Sequence, residues 1–245
     1  MKVFPSIISS TPLSCPDVVH GFSTRRAGDM RNLSHRDIFL RQFSVSTADL
    51  VWPQQVHGDA IYEAKSSDRG KEIQGIDAIV ARKIGSQKLV LGVHTADCVP
   101  ILAVDPAKHI IGAAHAGWKG TLKHISRKFI QHMVSLGSLP KDVRIFIGPR
   151  ICSRCYHVEE VRAQRFQSAF GWKIIQKRKG RVYLDIGYAN YLDILSAGVP
   201  KKQVDYNPAY CTCCHHDIYF SFRASMGILD GENMGFIGFD GSSRV

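Results

Sequence analysis

Three short segments carry residues that could do chemistry: Gln54-Gln55-Val56-His57-Gly58, Thr95-Ala96-Asp97-Cys98 and Ala113-Ala114-His115-Ala116-Gly117-Trp118. One thiol and two imidazoles make a zinc donor set. Zinc takes Cys sulfur and His nitrogen tetrahedrally, and a catalytic zinc keeps three protein ligands and one open position. His57, Cys98 and His115 lie far apart along the chain, so spacing alone equally admits a buried free thiol and two hydrogen-bonded histidines. Asp97, beside Cys98, is a candidate to orient a ligand or act as a base, and is equally a turn carboxylate. Arg25 and Arg223 each follow an apolar-aromatic stretch, where a strand can deliver them to a cleft that captures phosphate or carboxylate. A second cluster pairs Cys152-Ser153-Arg154-Cys155 with Cys211-Thr212-Cys213-Cys214-His215-His216. Its local spacing suits a structural zinc site, but a long gap separates the halves, and unliganded thiols on two loops explain it as well.

These residues must be placed by the elements around them. Apolar runs predict strands over Leu89–His94, Val99–Val104, Ile110–His115, Val143–Gly148, Ile218–Phe222 and Gly235–Phe239. Cys98 then opens one strand and His115 closes the next, and neighbouring strands joined by a turn can bring such ends together. A helix follows from about Trp118, with Leu122, Ile125, Phe129, Met133 and Leu136 on one face and Gly137 as its C-terminal cap. Its first N–H groups would point back at His115 as an anion site. Further helices are expected over Val158–Phe170, with Val158, Val161, Phe166 and Phe170 apolar, and near Tyr188–Ala197. The strand-rich first half favours an α+β fold with a mixed sheet over a regular doubly wound one.

Composition narrows the class. The 245 residues are 44% apolar, which suits a packed core, and no linker or repeat divides them, so one domain over 1–245 is expected. No apolar run approaches the ~18 residues of a membrane span. The N-terminal apolar stretch follows Lys2 but is broken by Pro5 and Pro12, a poor export signal, so a soluble, cytoplasmic protein without a membrane partner is expected. Seven cysteines in such a chain read as free thiols or metal ligands, not as a disulfide framework. The charge of +11 hints at a polyanionic partner, but the basic residues are scattered, and no nucleic-acid-binding motif accompanies them.

The ordered set Gln55-Val56-His57-Gly58, Thr95-Ala96-Asp97-Cys98-Val99-Pro100, His115-Ala116-Gly117-Trp118-Lys119-Gly120, Ile147-Gly148-Pro149, Cys155-Tyr156-His157-Val158, Leu184-Asp185 and Phe220-Ser221-Phe222-Arg223 closely resembles the laccase-domain family. That family is also described as polyphenol oxidase-like, purine nucleoside phosphorylase or peptidoglycan-editing-factor proteins. The likeness runs from about His20 to Gly238. It implies a single-domain, four-layer α/β/β/α sandwich, with His57, Cys98 and His115 as ligands of a pocket zinc. It also implies phosphorolysis of adenosine, inosine, guanosine and methylthioadenosine, and deamination of adenosine. The chain departs from the family pattern at 27–32, 150–158 and 224–227, where a substrate would meet the pocket.

Phosphorolysis suits the donor set. Zinc with one thiolate and two neutral imidazoles keeps about one positive charge, and Arg25, Arg223 and a helix N-terminus would add to a field that gathers phosphate. Copper in the same His₂Cys site, serving polyphenol oxidation, is the rival. A multicopper oxidase, however, needs histidines for a three-copper cluster, usually as His-x-His pairs, and no two of the 11 histidines are so spaced. A cysteine hydrolase with Cys98 as nucleophile and His115 as base, and a non-catalytic cell-wall module, use the same residues. Nothing in the pattern specifies an oligomeric state.

Overall fold

The computed structural model describes residues 7–83 and 85–241; Lys2 and Pro5 lie outside them. Two six-stranded mixed sheets stack face to face. The first runs in the order Ile7–Ile8, Val18–Ser23, Asn233–Phe239, Leu89–Thr95, Leu50–Pro53, Lys71–Ile73. The second runs Val204–Tyr206, Arg144–Ile147, Val99–Asp105, Ile110–Ala116, Ala78–Arg82, Ile61–Glu63. Helix α1 (Leu33–Arg41) covers the outer face of the first sheet. Helices α2 (Trp118–Leu122), α3 (Ile125–Ser135), α4 (Glu160–Phe170) and α5 (Ile186–Ser196) gather outside the second. A three-stranded antiparallel sheet joins His157–Val158, Arg181–Leu184 and Ile175–Arg178. The expected α/β/β/α layering of an α+β fold is therefore present.

The layering follows from strand periodicity. Successive side chains leave a strand on opposite faces, so a strand between two apolar layers must be apolar throughout. Every residue of Leu89–Thr95, Val99–Asp105, Ile110–Ala116 and Asn233–Phe239 is buried. Val99, Ile101 and Ala103 pack toward α3 and α5, while Leu102 and Val104 pack between the sheets. Met234 and Phe236 face α1, while Ile237 and Phe239 face the second sheet. Burial of each such side chain contributes roughly 1.5–3 kcal/mol.

Four expectations are corrected. Ile218–Phe222 is not a strand. Its backbone is held by side chains instead of a ladder: Phe220 N–H donates to Asn233 Oδ1 (3.0 Å), and Asn233 Nδ2 donates back to the Phe220 carbonyl (3.0 Å). The long helix from Trp118 breaks at His124, whose φ is +60°. Asp193 of α5 makes the break, accepting from His124 Nδ1 (2.9 Å) and from the Arg127 N–H (3.2 Å) in the first turn of α3. That carboxylate caps α3 from outside. The next helix starts at Glu160, because His157–Val158 pairs with Tyr183 and Val182, and Val161 is exposed. The third starts two residues early, at Ile186, where Asp185 accepts from the Tyr188 N–H (2.8 Å). Gly137 takes φ +100° after α3, as its capping role requires. Among the described residues no helix is long and apolar enough to cross a membrane.

At Gly112 the second sheet meets α3 without room for a side chain: a Cβ there would lie 2.5 Å from Phe129 Cζ and 3.2 Å from Val80 Cγ1. Gly112→Ala therefore overpacks a fully buried layer and should destabilise by about 1–3 kcal/mol, read as a lower urea midpoint. Adding Phe129→Leu should recover part of that loss. A double variant no more stable than Gly112→Ala would show the contact is not the source.

Candidate functional site

The three donors meet where the two sheets are joined. Leu89–Thr95 belongs to the first sheet and Val99–Asp105 to the second, so Ala96, Asp97 and Cys98 cross between layers in one tight turn. Asp97 takes φ +91°, an unusual value for a residue with a side chain. It is held there by its own carboxylate: Oδ1 accepts from Thr212 Oγ1 (2.6 Å) and Ser221 Oγ (2.6 Å), and Oδ2 accepts from the Arg223 N–H (2.6 Å). The ladder pairs Val99 with Ala116 and Pro100 with His115, which brings Cys98 beside His115.

His57 arrives on the loop after Leu50–Pro53, also in a left-handed conformation at φ +58°. Asp77 holds it. This carboxylate, fully buried at the start of Ala78–Arg82, accepts N–H donors from Val56 (3.3 Å), His57 (3.0 Å) and Gly58 (2.6 Å). It also accepts from His115 Nδ1 (2.8 Å), which turns the other ring nitrogen outward. One donor atom each from His57, Cys98 and His115 lies within 4.8 Å of the others. The two imidazoles stand edge to face, centroids 4.8 Å apart.

The donor set fits a tetrahedral cation. It offers one soft sulfur and two nitrogens, with a carboxylate behind one imidazole. Gly117 leaves the space open: a Cβ there would lie 2.7 Å from His57 Cδ2 and 3.4 Å from both Cys98 Sγ and His115 Cε1. Electrostatics agree. Burial by itself would raise the Cys98 thiol, but the charge of His115 and hydrogen bonds from both imidazoles bring it down to about 7. Burial would lower His115, but the Cys98 charge and the Asp77 hydrogen bond push it up to about 10. The pair of Cys98 and His115 favours a thiolate facing positive charge.

A cavity of about 440 Å³ opens over this centre. Arg223 lines it, its Nη1 donating to the carbonyls of Cys155 (3.1 Å) and His157 (3.2 Å). Arg25 does not line it. Its Nε donates to the His216 (2.7 Å) and Tyr219 (3.0 Å) carbonyls, and its Nη2 pairs with Asp230 (2.8 Å), so the residue braces the loop behind Arg223. The expected helix N-terminus is present at Gly117, but α2 spans only five residues and aligns few peptide dipoles.

Five residues of the site were given no role from the sequence, although Gln55 lies in the His57 motif. Asp77 is one; a lone acid opening an apolar strand was its signal. His94 lines the cavity with Nε2 buried and, among the described residues, unpartnered, and burial lowers its pKa to about 3. Gln55 clamps the His94 backbone, donating from Nε2 to its carbonyl (2.8 Å) and accepting its N–H at Oε1 (2.8 Å). Glu232 also lines the cavity, and burial raises its carboxyl above the usual range. Arg162 completes the rim, its guanidinium 4.3 Å from the ring of Trp118.

The family model described as "Multi-copper polyphenol oxidoreductase laccase" matches residues 23–240. The chain belongs to that family. An adenosine deaminase, RL5, from an unknown prokaryotic organism is 33% identical over 214 residues, covering 83% of this chain and 80% of the relative. A purine nucleoside phosphorylase of Bacteroides thetaiotaomicron is 35% identical over 210 residues, covering 81% of this chain and 76% of the relative. The crystal structure of YlmD from Geobacillus stearothermophilus superposes with a TM-score of 0.85 at 26% identity, covering 98% of each chain. The names of these two relatives assign purine-nucleoside activities to members of the family, which supports an enzyme.

The neutral, buried His94 gives a pH prediction for metal-free protein. Its folded-state pKa is depressed, so below about pH 6.5 the unfolded chain takes up a proton that the native imidazole does not, until about pH 3. Its contribution is present above pH 6.5 and is lost on acidification. Between pH 7 and pH 5 the stability of wild type should fall by about 2 kcal/mol more than that of His94→Leu, by urea titration. Parallel curves for the two proteins would remove His94 from the account.

Proposed function

We propose that this enzyme cleaves purine nucleosides with phosphate, around a zinc ion held by His57, Cys98 and His115. The observation that carries the reading is the convergence of three donors on one point that faces a cavity with an arginine at its wall. The curated relatives of that name support the substrate class. When bound, the zinc supplies a Lewis acid and positive charge that gathers phosphate and favours its ionised form.

The chain's own groups then have separable tasks. Arg223, pinned by two carbonyls, offers its charge to phosphate, and Arg162 adds a second cation at the rim. Trp118 and Phe222 give apolar surface for the purine. His94 Nε2 is a free hydrogen-bonding atom for a base edge. Phosphorolysis breaks the bond from sugar C1′ to purine nitrogen, with the electron pair leaving on the purine, and forms a bond from C1′ to a phosphate oxygen. A proton must reach the departing base. Glu232, which lines the cavity and whose pKa burial raises, is the donor this reading assigns. Asp97 is a positioning residue: three hydrogen bonds occupy its carboxylate and hold the backbone of Arg223.

Deamination of adenosine is a second reading, favoured by the relative named for it and by a carboxyl able to relay protons in the same cavity. Polyphenol oxidation with copper has less support. Among the described residues, the groups of three or more possible ligands contain only His57 and His115 as histidines, too few for a three-copper cluster.

The deciding assay is hypoxanthine release from inosine with and without phosphate. Phosphate-dependent release that disappears in Cys98→Ala is expected. Release that ignores phosphate, or that survives full chelation yet dies on alkylation of Cys98, would instead indicate a hydrolase. Glu232→Gln should lower kcat by about 10²-fold with a small change in KM, as loss of a proton donor does. Arg223→Ala should raise the KM for phosphate about tenfold, while Arg25→Ala should leave it unchanged and lower the melting temperature.

A further inference from the structure

We propose a second metal site in this chain: a structural zinc bound by the four thiolates of Cys152, Cys155, Cys211 and Cys214. The sulfurs of these residues all lie within 4.8 Å of one another, on two loops far apart in sequence. Cys155 Sγ is 3.4 Å and Cys152 Sγ 3.9 Å from Cys214 Sγ. Four sulfurs at the ~2.3 Å bond length of zinc form a tetrahedron with edges of about 3.8 Å, so the spacing is that of a mononuclear centre. All four are free thiols.

The surrounding backbone is organised as such a centre needs. Each half supplies a Cys-x-x-Cys pair, and Cys211 Sγ accepts the N–H of Cys152 (3.3 Å) and the N–H of Cys214 (3.3 Å). These bonds stabilise negative charge on sulfur and fix its direction. Four thiolates around zinc leave two net negative charges. Arg154 Nη2 lies 4.0 Å from Cys214 Sγ, and Arg150 and Arg178 flank the same hollow. Cys213, His215 and His216 stay outside the four.

The place in the fold gives the ion its work. The strands Arg144–Ile147 and Val204–Tyr206 run parallel and adjacent, so both loops leave the same sheet edge side by side. Beyond the strands, the strand pairing between them among the described residues is reduced to one isolated bridge, Arg150 with Cys211. One loop carries Ile151 and Tyr156 to the cavity wall, and its Cys155 carbonyl accepts from Arg223. The other carries Thr212 to Asp97. A zinc between them clamps the wall on which Arg223 sits.

The site is tested on the full chain by metal analysis and cobalt substitution. The variant His57→Ala/Cys98→Ala/His115→Ala should retain one zinc per chain and, with cobalt, show the strong sulfur-to-metal charge transfer of a tetrahedral tetrathiolate. Cys152→Ser/Cys211→Ser should lose that signal and become more sensitive to proteolysis near 150–157 and 208–217. If the serine variant does not fold, thiol titration of the triple variant decides: four thiols should become reactive as one zinc is released. A triple variant that purifies without metal and takes up no cobalt would overturn the proposal, as would a disulfide among these cysteines in native protein. None of these readouts uses nucleoside turnover, so failure of the phosphorolysis assay leaves the test intact.

Discussion

Asp77 is the constraint on which the site depends. A carboxylate with no exposure to water must be satisfied by donors, and this one takes three from the 56–58 backbone and one from the His115 ring. The same bonds hold His57 in a left-handed conformation that would otherwise cost about 1 kcal/mol or more. Two donors from different elements are thus aimed by one buried charge. Removing that charge would release both imidazoles together.

Asp97 works similarly on the opposite wall. Its two oxygens gather Thr212, Ser221 and the Arg223 backbone, all more than a hundred residues away in sequence. Its strained backbone is the turn by which the chain passes from one sheet to the other and brings Cys98 to its place. A carboxylate so fully engaged has little freedom to exchange protons with a substrate. Both carboxylates line the cavity, but burial raises the carboxyl of Glu232 above the usual range. The proposed division between a holding and a reacting carboxylate rests on how many donors each one meets.

Beneath both lies the packing of three apolar layers. Strands buried on both faces leave no slack for the turn at 96–98 or for the end of Ile110–Ala116 to shift. That rigidity lets three donors stay within a few ångströms of one point without covalent links between them. The 150–157 and 208–217 loops lack this support, and the four cysteines sit where the second sheet's ladder ends.

What was legible in the sequence was chemistry and periodicity. The residue types of His57, Cys98 and His115, the apolar runs of the central strands and the Gly137 cap each depend on local composition, and local composition is what a sequence displays. The ordered motifs also carried the family resemblance. Ile218–Phe222 looked like a strand because its apolar pattern suits one, but Asn233 holds its backbone and Asp97 the Ser221 hydroxyl from afar. The same remoteness hid Asp77, Glu232 and the His124 break. Arg25 and Arg223 follow similar aromatic stretches, yet Asp230 takes one aside while the cavity receives the other. The sequence by itself determined which groups were available and which strands must be buried. Only the tertiary structure decided which groups meet, because hydrogen bonds and ion pairs between distant residues depend on positions set by the packed sheets.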